Sequence, residues 1–220
     1  ARRHPAPRSV SRRVAASDRR GAGALAALLL VLTGCASLNG DAPEPATPAD
    51  GRWQAHRAAV AEIGDFTASA RVAFQATDRG ASAKLRWRER GGRYSLVVEP
   101  PLGGGTFMIR ERAQGVELVT ADGSIDASAT PEALVEKHLD MTLPVSGVRY
   151  WMKGVPDPAV EVAYLSLDDE GRARDLEQSR WRVSVLEYTL VDGTALPRRL
   201  FLSRDDVKVR IVVDRWSIAS

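Results

Sequence analysis

The stretch Ala83-Lys-Leu-Arg-Trp-Arg-Glu-Arg-Gly-Gly-Arg-Tyr-Ser-Leu-Val-Val98 alternates apolar with polar side chains on both sides of a glycine pair. Successive side chains of a β-strand point to opposite faces of the sheet, so this period of two indicates half-buried strands. Adjacent glycines between two such runs are typical of a tight hairpin turn. The stretch therefore predicts two antiparallel strands that share one apolar face. That face consists of Ala83, Leu85, Trp87, Tyr94, Leu96 and Val98.

The same period extends in both directions along the chain. It begins at Phe66 and resumes after residue 98, with glycine-containing turns between successive runs, for example at Asp122-Gly123 and Asp192-Gly193. The further strands are predicted over residues 106–110, 116–120, 160–167, 173–178, 181–188, 196–203 and 207–216. About ten antiparallel strands with a one-sided apolar pattern curl, because sheets twist and a long sheet closes or splits.

Three segments follow a helical pattern instead. The first runs from about residue 51 to 63 with Asp50 as its N-cap, and the second opens at Thr130-Pro131, an N-cap followed by proline at the first helical position. A third, short helix fits residues 146–153, with Gly154 after its end. The predicted fold is α+β: a curved antiparallel sheet forming an incomplete, half-open β-barrel of about ten to eleven strands, covered by two to three helices. A barrel of this size holds either side chains or a ligand, and the pattern alone leaves both open.

The N-terminal part has a different character. Residues 21–32 form an apolar core of a dozen residues after an arginine-rich start. This is shorter than the roughly 20 residues of a membrane-spanning helix and is typical of a secretory leader. Leu32-Thr33-Gly34-Cys35 follows directly and resembles a bacterial lipobox, which implies a mature chain that begins with a triacylated Cys35. The alternative is an incidental buried cysteine.

These features divide the chain into three parts. Residues 1–34 are predicted to be a lipoprotein signal peptide that is removed, and residues 35–50 to be the lipidated cysteine with a proline-rich tether. The folded domain then spans residues 51–220. Fifteen tether residues reach about 50 Å when fully extended and typically about 20 Å, so the domain would be held close to a bilayer. Ala36 stands where an aspartate would favour retention in the inner membrane, which indicates an outer-membrane destination.

The charge distribution argues against nucleic-acid binding. Residues 1–34 hold seven arginines and one aspartate, which is six net positive charges. The formal net charge of the whole chain is +3, so residues 35–220 carry about −3. The basic character therefore belongs to the leader, and we expect no nucleic-acid partner.

Sites for catalysis or metal binding are not evident in the sequence. His56 and His138 lie on predicted helix faces without carboxylate or cysteine neighbours at ligand spacing, and Cys35 is the only cysteine. The run Gly103-Gly104-Gly105 lacks the lysine and the helix of a phosphate-binding loop. We therefore expect no enzyme, no metal and no cofactor other than the covalent lipid of Cys35.

Several segments together resemble the LolB family of outer-membrane lipoprotein receptors, in order and over nearly all of residues 53–216. No single segment is specific for this family, but the order of the segments together with a lipobox is characteristic of it. They are Trp53-Gln54-Ala55-His56, Leu85-Arg86-Trp87, Tyr94-Ser95-Leu96-Val97-Val98, Pro101-Leu102-Gly103, Leu143-Pro144-Val145, Trp151-Met152-Lys153-Gly154-Val155-Pro156, Trp181-Arg182-Val183 with Tyr188, Leu196-Pro197 and Trp216.

The resemblance implies a lipid-anchored receptor on the periplasmic face of the outer membrane. Such a receptor accepts lipoproteins from the periplasmic carrier LolA, binds their acyl chains in an apolar cavity and inserts them into the membrane. We expect it to act as a monomer.

The resemblance also implies site residues. Leu102, between Pro101 and Gly103, matches the family's leucine that protrudes from a loop and serves in passing cargo into the membrane. Trp87, Tyr94, Trp151 and Trp181 are candidates for lining the acyl-chain cavity, although aromatic residues at such positions more often belong to the ordinary core. Two alternative functions remain open, a structural or scaffolding lipoprotein with a solid core and a lipocalin-like binder of small molecules.

Overall fold

The computed structural model describes residues 50–101 and 105–219, and over these ranges the protein forms three helices and eleven strands. The predictions for the leader, Cys35 and the tether up to residue 49 lie outside the described residues. The helices are α1 (Gly51–Ala61), α2 (Pro131–Leu139) and α3 (Val145–Trp151). The strands are β1 (Phe66–Gln75), β2 (Gly80–Arg90), β3 (Arg93–Glu99), β4 (Phe107–Glu111), β5 (Val116–Val119), β6 (Ile125–Ser128), β7 (Tyr164–Leu167), β8 (Ala173–Gln178), β9 (Trp181–Val191), β10 (Thr194–Arg204) and β11 (Val207–Ile218).

All eleven strands belong to one antiparallel sheet in the order β6-β5-β4-β3-β2-β1-β11-β10-β9-β8-β7. The first and last strands, β1 and β11, pair with each other in the middle of the sheet. The edge strands β6 and β7 do not pair, so the barrel stays open, and the chain that connects them carries α2 and α3 across the opening. This confirms the predicted α+β fold with an incomplete barrel covered by helices.

The hairpin that joins β2 to β3 has the predicted turn. Gly91 and Gly92 both have positive φ, at 54° and 73°, as a two-residue turn between twisted strands requires. Arg90 pairs with Arg93 and Trp87 with Leu96, which puts Trp87 and Leu96 on the inner face. Both are at least 95% buried.

The first two helices begin where their capping residues predict. The Asp50 carboxylate accepts hydrogen bonds from the backbone N–H groups of Arg52 and Trp53, and the Thr130 hydroxyl accepts one from Ala133. These bonds satisfy N–H groups that have no partner inside the first turn of a helix.

The structure differs from the sequence prediction in two strands. Strand β7 begins at Tyr164 rather than at residue 160, because the backbone carbonyls of Asp157 and Val160 accept hydrogen bonds from the side chain of Gln178. The Gln178 side chain thus holds residues 157–160, and backbone hydrogen bonding to β8 begins only at Ala163, whose N–H donates to the Glu177 carbonyl oxygen at 2.9 Å. Strand β6 was not predicted. It is four residues long, and its Ile125 is 62% exposed, so it lacks the apolar alternation.

The described residues 50–101 and 105–219 belong to one compact unit, which contains every described helix and strand. Most of its buried apolar residues belong to one cluster, which extends from Val60 near the end of α1 to Val213 on β11. A unit with its own continuous core is expected to fold independently of the preceding residues. We refer to residues 41–220 as the domain.

Helix α1 rests directly on the turn between β7 and β8. Gly171 in that turn has φ of +77°, and a Cβ atom there would lie 3.0 Å from the backbone carbonyl carbon of Arg52.

We expect Gly171→Ala to lower the free energy of unfolding by about 2–3 kcal/mol, because strain at positive φ adds to the steric clash. Chemical denaturation of the domain measures this effect. Gly193→Ala is the control, since Gly193 also has positive φ but faces open space, and its loss should be about 1 kcal/mol. Equal losses would contradict the close-packing argument.

Candidate functional site

An apolar cavity of about 180 Å³ lies between the inner face of the curved sheet and the helices that cover it. Apart from Ser82, its lining consists of apolar side chains. The sheet contributes Val72, Phe74, Ala81, Ser82, Ala83, Leu85, Trp87, Leu96, Val98, Phe107, Ile109, Leu202, Val209 and Ile211, and the covering segments contribute Pro100, Val135, Leu139, Met141, Leu143, Pro144, Val145 and Val148. An apolar cavity of roughly 150 Å³ stays dry and accepts small hydrophobic molecules, so this space suits hydrocarbon.

Period-two alternation explains why the sheet presents this surface. Alternate residues of each strand point inward, as Val72 and Phe74 do on β1 and Leu85 and Trp87 do on β2. Leu85 and Val72 are only half-buried although they face the interior. They pack against the core cluster on one side and border the cavity on the other, which explains their partial exposure.

A stacked aromatic pair closes the cavity at its inner end. The rings of Trp87 and Tyr94 are 5.0 Å apart and nearly parallel, and only Trp87 belongs to the lining. Burial raises the pKa of the Tyr94 phenol well above its ordinary value, and Glu111 and Glu132 add to the shift. Tyr94 is therefore uncharged at any physiological pH.

Behind the aromatic pair, a buried ion pair fastens α3 to the sheet. Glu89 points to the inner face and is 7% exposed. The Arg149 Nη2 atom lies 2.7 Å from its Oε1 and also donates to the carbonyl oxygen of Gly92 at 2.7 Å. Burial by itself lowers the pKa of Arg149, but the hydrogen bond and the charge of Glu89 outweigh that effect and raise it. The guanidinium is thus always charged, and Glu89 is the carboxylate that compensates this partly buried charge.

The opposite end of the cavity is its mouth, between the β1–β2 turn and the segment after β3. Phe74, Ala81 and Ser82 line both the cavity and a shallow depression on the outside that also includes Pro101. Across the mouth, Arg79 Nη1 lies 2.5 Å from Oδ2 of Asp140, the residue that ends α2. The loop predicted to carry Leu102 and Gly103 begins here, but both residues lie outside the described residues, so their roles stay predictions.

The structure separates the aromatic residues that the sequence suggested for the cavity. Trp87 lines it, and Tyr94 lies behind Trp87. Trp151 and Trp181 were also candidates for the lining, but the structure places both outside it. Trp151 Nε1 donates to Gln178 Oε1 at 2.9 Å, and Trp181 packs under the guanidinium of Arg204. Both occupy the space between α3 and the β8–β9 hairpin, because their polar contacts are on that side.

Sequence reasoning missed much of the lining, above all the loop between α2 and α3. Leu139 at the end of α2 and Met141 and Leu143 in the loop after it alternate with polar residues, and all three side chains line the cavity. That alternation was a usable signal, but it occurs in a loop and is too short to predict a strand. Val72, Phe74 and Leu202 were missed for another reason, because an inward-facing strand residue looks the same whether it meets a cavity or the core.

Within the described residues, no helix is long and apolar enough to cross a membrane. No cluster of three or more histidine, cysteine, aspartate or glutamate residues with the geometry of a metal site occurs in residues 50–101 or 105–219.

Comparisons with known proteins agree on one family. A family model described as outer membrane lipoprotein LolB matches residues 64–216. A protein named outer-membrane lipoprotein LolB from Alkalilimnicola ehrlichii is 37% identical over 202 residues, covering 91% of this chain and 99% of the relative. One of the same name from Halorhodospira halophila is 36% identical over 201 residues, covering 91% and 96%.

Among solved structures, a LolA superfamily protein from Nitrosomonas europaea has a similar fold. The TM-score is 0.50 at 8% sequence identity, and the match covers 76% of this chain and 93% of that protein. At this level of identity the similarity concerns the fold alone.

Proposed function

Because the chain belongs to the LolB family of outer-membrane lipoproteins, we propose that its apolar cavity binds the acyl chains of other lipoproteins on their way into the outer membrane. The family role is that of a receptor in lipoprotein localisation at the outer membrane. The proposal adds how this chain performs that role. The cavity takes over acyl chains from a LolA-type periplasmic carrier, shields them from water and releases them into the bilayer.

The observation that carries the proposal is the empty apolar space itself. A cavity of about 180 Å³ lowers stability by about 4 kcal/mol relative to a filled core, at roughly 24 cal/mol per Å³. A scaffolding protein has no use for a cavity that lowers its stability in this way. A receptor recovers it on binding, since each buried methylene contributes about 0.8 kcal/mol and ten of them about 8 kcal/mol.

Transfer needs only a gradient of affinity. We expect the acyl chains to bind more tightly to this cavity than to the carrier, and more tightly still to the bilayer. Each tenfold step in affinity corresponds to about 1.4 kcal/mol. If the cavity buries a few more methylenes of the cargo than the carrier does, the cargo moves from the carrier to the cavity without energy from nucleotide hydrolysis.

The anchor belongs to the same proposal. Acylation of Cys35 would hold the protein on the periplasmic face of the outer membrane, because stable anchoring requires more than one acyl chain. The tether would then allow the mouth to turn first towards the carrier and then towards the bilayer. In this mechanism the protein acts as a monomer and uses no cofactor beyond its own lipid.

Displacement of a fluorescent fatty acid by palmitate tests the proposal on the domain. We expect saturable binding at one site. No binding would favour the scaffolding alternative. Depletion of the protein from cells separates the lipocalin-like alternative, because only loss of a receptor strands many lipoproteins in the periplasm.

Leu102→Glu tests the role in membrane insertion that is predicted for Leu102. Inserting one leucine into a membrane is worth roughly 1.5–3 kcal/mol, and a charged side chain removes that gain. We expect the variant to fold and to accept cargo from the carrier but to incorporate almost none into membranes, measured as cargo that stays with the receptor in a reconstituted transfer assay. Leu102→Met is the control and should retain transfer. Equal incorporation by Leu102→Glu and the unmodified protein would contradict this role.

A further inference from the structure

A second pocket, whose lining includes the charged residues Glu132, Asp157 and Arg204, lies beside the apolar cavity. It has a volume of about 260 Å³ and lies between α3 and the hairpin that joins β8 to β9. Leu143 and Pro144 line both spaces. The two pockets are therefore separated only by the loop between α2 and α3, and a molecule whose polar and apolar parts are adjacent could occupy both.

The acidic groups of this pocket already have partners. The two oxygens of the Glu132 carboxylate accept hydrogen bonds from the backbone N–H and the hydroxyl of Ser146, at 2.7 and 3.1 Å. Asp157 Oδ1 accepts one from the N–H of Ala159 at 2.9 Å. These contacts hold both side chains in place, so a ligand would not need to donate hydrogen bonds to the two carboxylates.

Arg204, the basic residue of the lining, differs from these acidic groups. Its side chain is only 25% exposed, and its guanidinium carbon lies 4.9 Å from the centre of the Trp181 ring. The nearest carboxylate oxygen in the described part of the chain belongs to Asp205, at 4.0 Å from Nε, which is too long for a hydrogen bond. A guanidinium carries five N–H donors, and leaving donors without acceptors at a partly buried position is unfavourable.

We propose that this pocket binds the carbonyl-bearing junction of a lipoprotein cargo, where the acyl chains meet the peptide, and that Arg204 donates hydrogen bonds to those carbonyl oxygens. The inference rests on the proposed function, since the acyl chains themselves would lie in the neighbouring cavity. The guanidinium lies over the Trp181 ring, and this contact with the ring face uses none of its five N–H donors. The charges of Glu132 and Asp157 disfavour an anion, and neutral ester or amide carbonyls fit the pocket better.

Three ligands with similar chains separate the contributions. They are a tripalmitoylated S-glyceryl-cysteinyl peptide, dipalmitoylglycerol, and the dihexadecyl ether of glycerol, which has no carbonyl groups. We expect Arg204→Ala to weaken binding of the lipopeptide to the domain about tenfold to a hundredfold, as for a lost hydrogen bond to a charged group. Binding of the diether should not change. Arg180→Ala is the matched control, because Arg180 is on the neighbouring hairpin but 81% exposed, and it should behave like the unmodified domain with every ligand.

The outcomes are distinct. If dipalmitoylglycerol follows the lipopeptide, Arg204 recognises the ester carbonyls, and if it follows the diether, Arg204 recognises the peptide carbonyls. Either result supports the proposal. An equal loss for the diether, or no loss for the lipopeptide, overturns it. Failure of the unmodified domain to bind even the diether would instead contradict the proposed function of the apolar cavity.

Discussion

Leu85→Trp is expected to reduce the affinity of the domain for a fatty acid about thirtyfold while leaving the fold intact. Leu85 lies in the middle of β2, lines the cavity and is only half-buried. A larger side chain there extends into empty space rather than into packed atoms. It would displace about two or three methylenes of a bound chain, or roughly 2 kcal/mol.

Titration with a fluorescent fatty acid measures the loss, and the midpoint of thermal unfolding shows whether the variant is folded. Leu190→Trp is the control, because Leu190 is 76% exposed on β9 and does not line the cavity. The control should bind like the unmodified domain. Undiminished binding by a folded Leu85→Trp variant would mean that the acyl chain binds elsewhere.

Arg149→Met is expected to lower the free energy of unfolding by about 3–5 kcal/mol, the usual effect of removing one partner of a buried ion pair. The change leaves the Glu89 carboxylate without its bidentate partner, although its side chain is only 9% exposed. It also removes the bond from Arg149 to the Gly92 carbonyl, which links α3 to the end of the β2–β3 hairpin. Urea denaturation followed by circular dichroism gives the difference.

The double variant Glu89→Leu with Arg149→Met tests the cause of that loss. Replacing a whole buried pair by apolar side chains is often neutral or stabilising, because no charge remains to be desolvated. We therefore expect the double variant to regain most of the stability. If it is as unstable as Arg149→Met alone, packing of the arginine side chain, rather than the unpaired carboxylate, explains the effect.

The elements that could be predicted from the sequence are those whose cause is local. The β2–β3 hairpin depends on two glycines at positive φ, and α2 depends on a threonine cap followed by a proline. Each signal lies within a few residues of the structure it determines. The open barrel was then predicted from the number of strands and from their apolar residues, which lie on one face of the sheet.

The candidate site was less predictable because it depends on contacts between distant segments. Trp87 and Trp181 both occupy apolar positions on strands, yet one borders the cavity and the other packs under Arg204. Residue type does not decide between these environments. The start of β7 likewise depended on Gln178, a fully buried polar side chain whose partners are about twenty residues away along the chain.

The pairing of β1 with β11 has a consequence for biogenesis. Phe66 lies opposite Ile218, so the middle of the sheet forms only when the final segment of the polypeptide is present, and such non-local pairing is slow. Leu202, Val209 and Ile211 from the last two strands line the same cavity as Val72 and Phe74, and Ile211 and Val209 pair directly with Val72 and Phe74. A polypeptide in which β11 has not yet paired with β1 therefore lacks Val209 and Ile211 from the cavity lining. We expect the complete apolar lining, and with it any binding of acyl chains, to form only after this pairing.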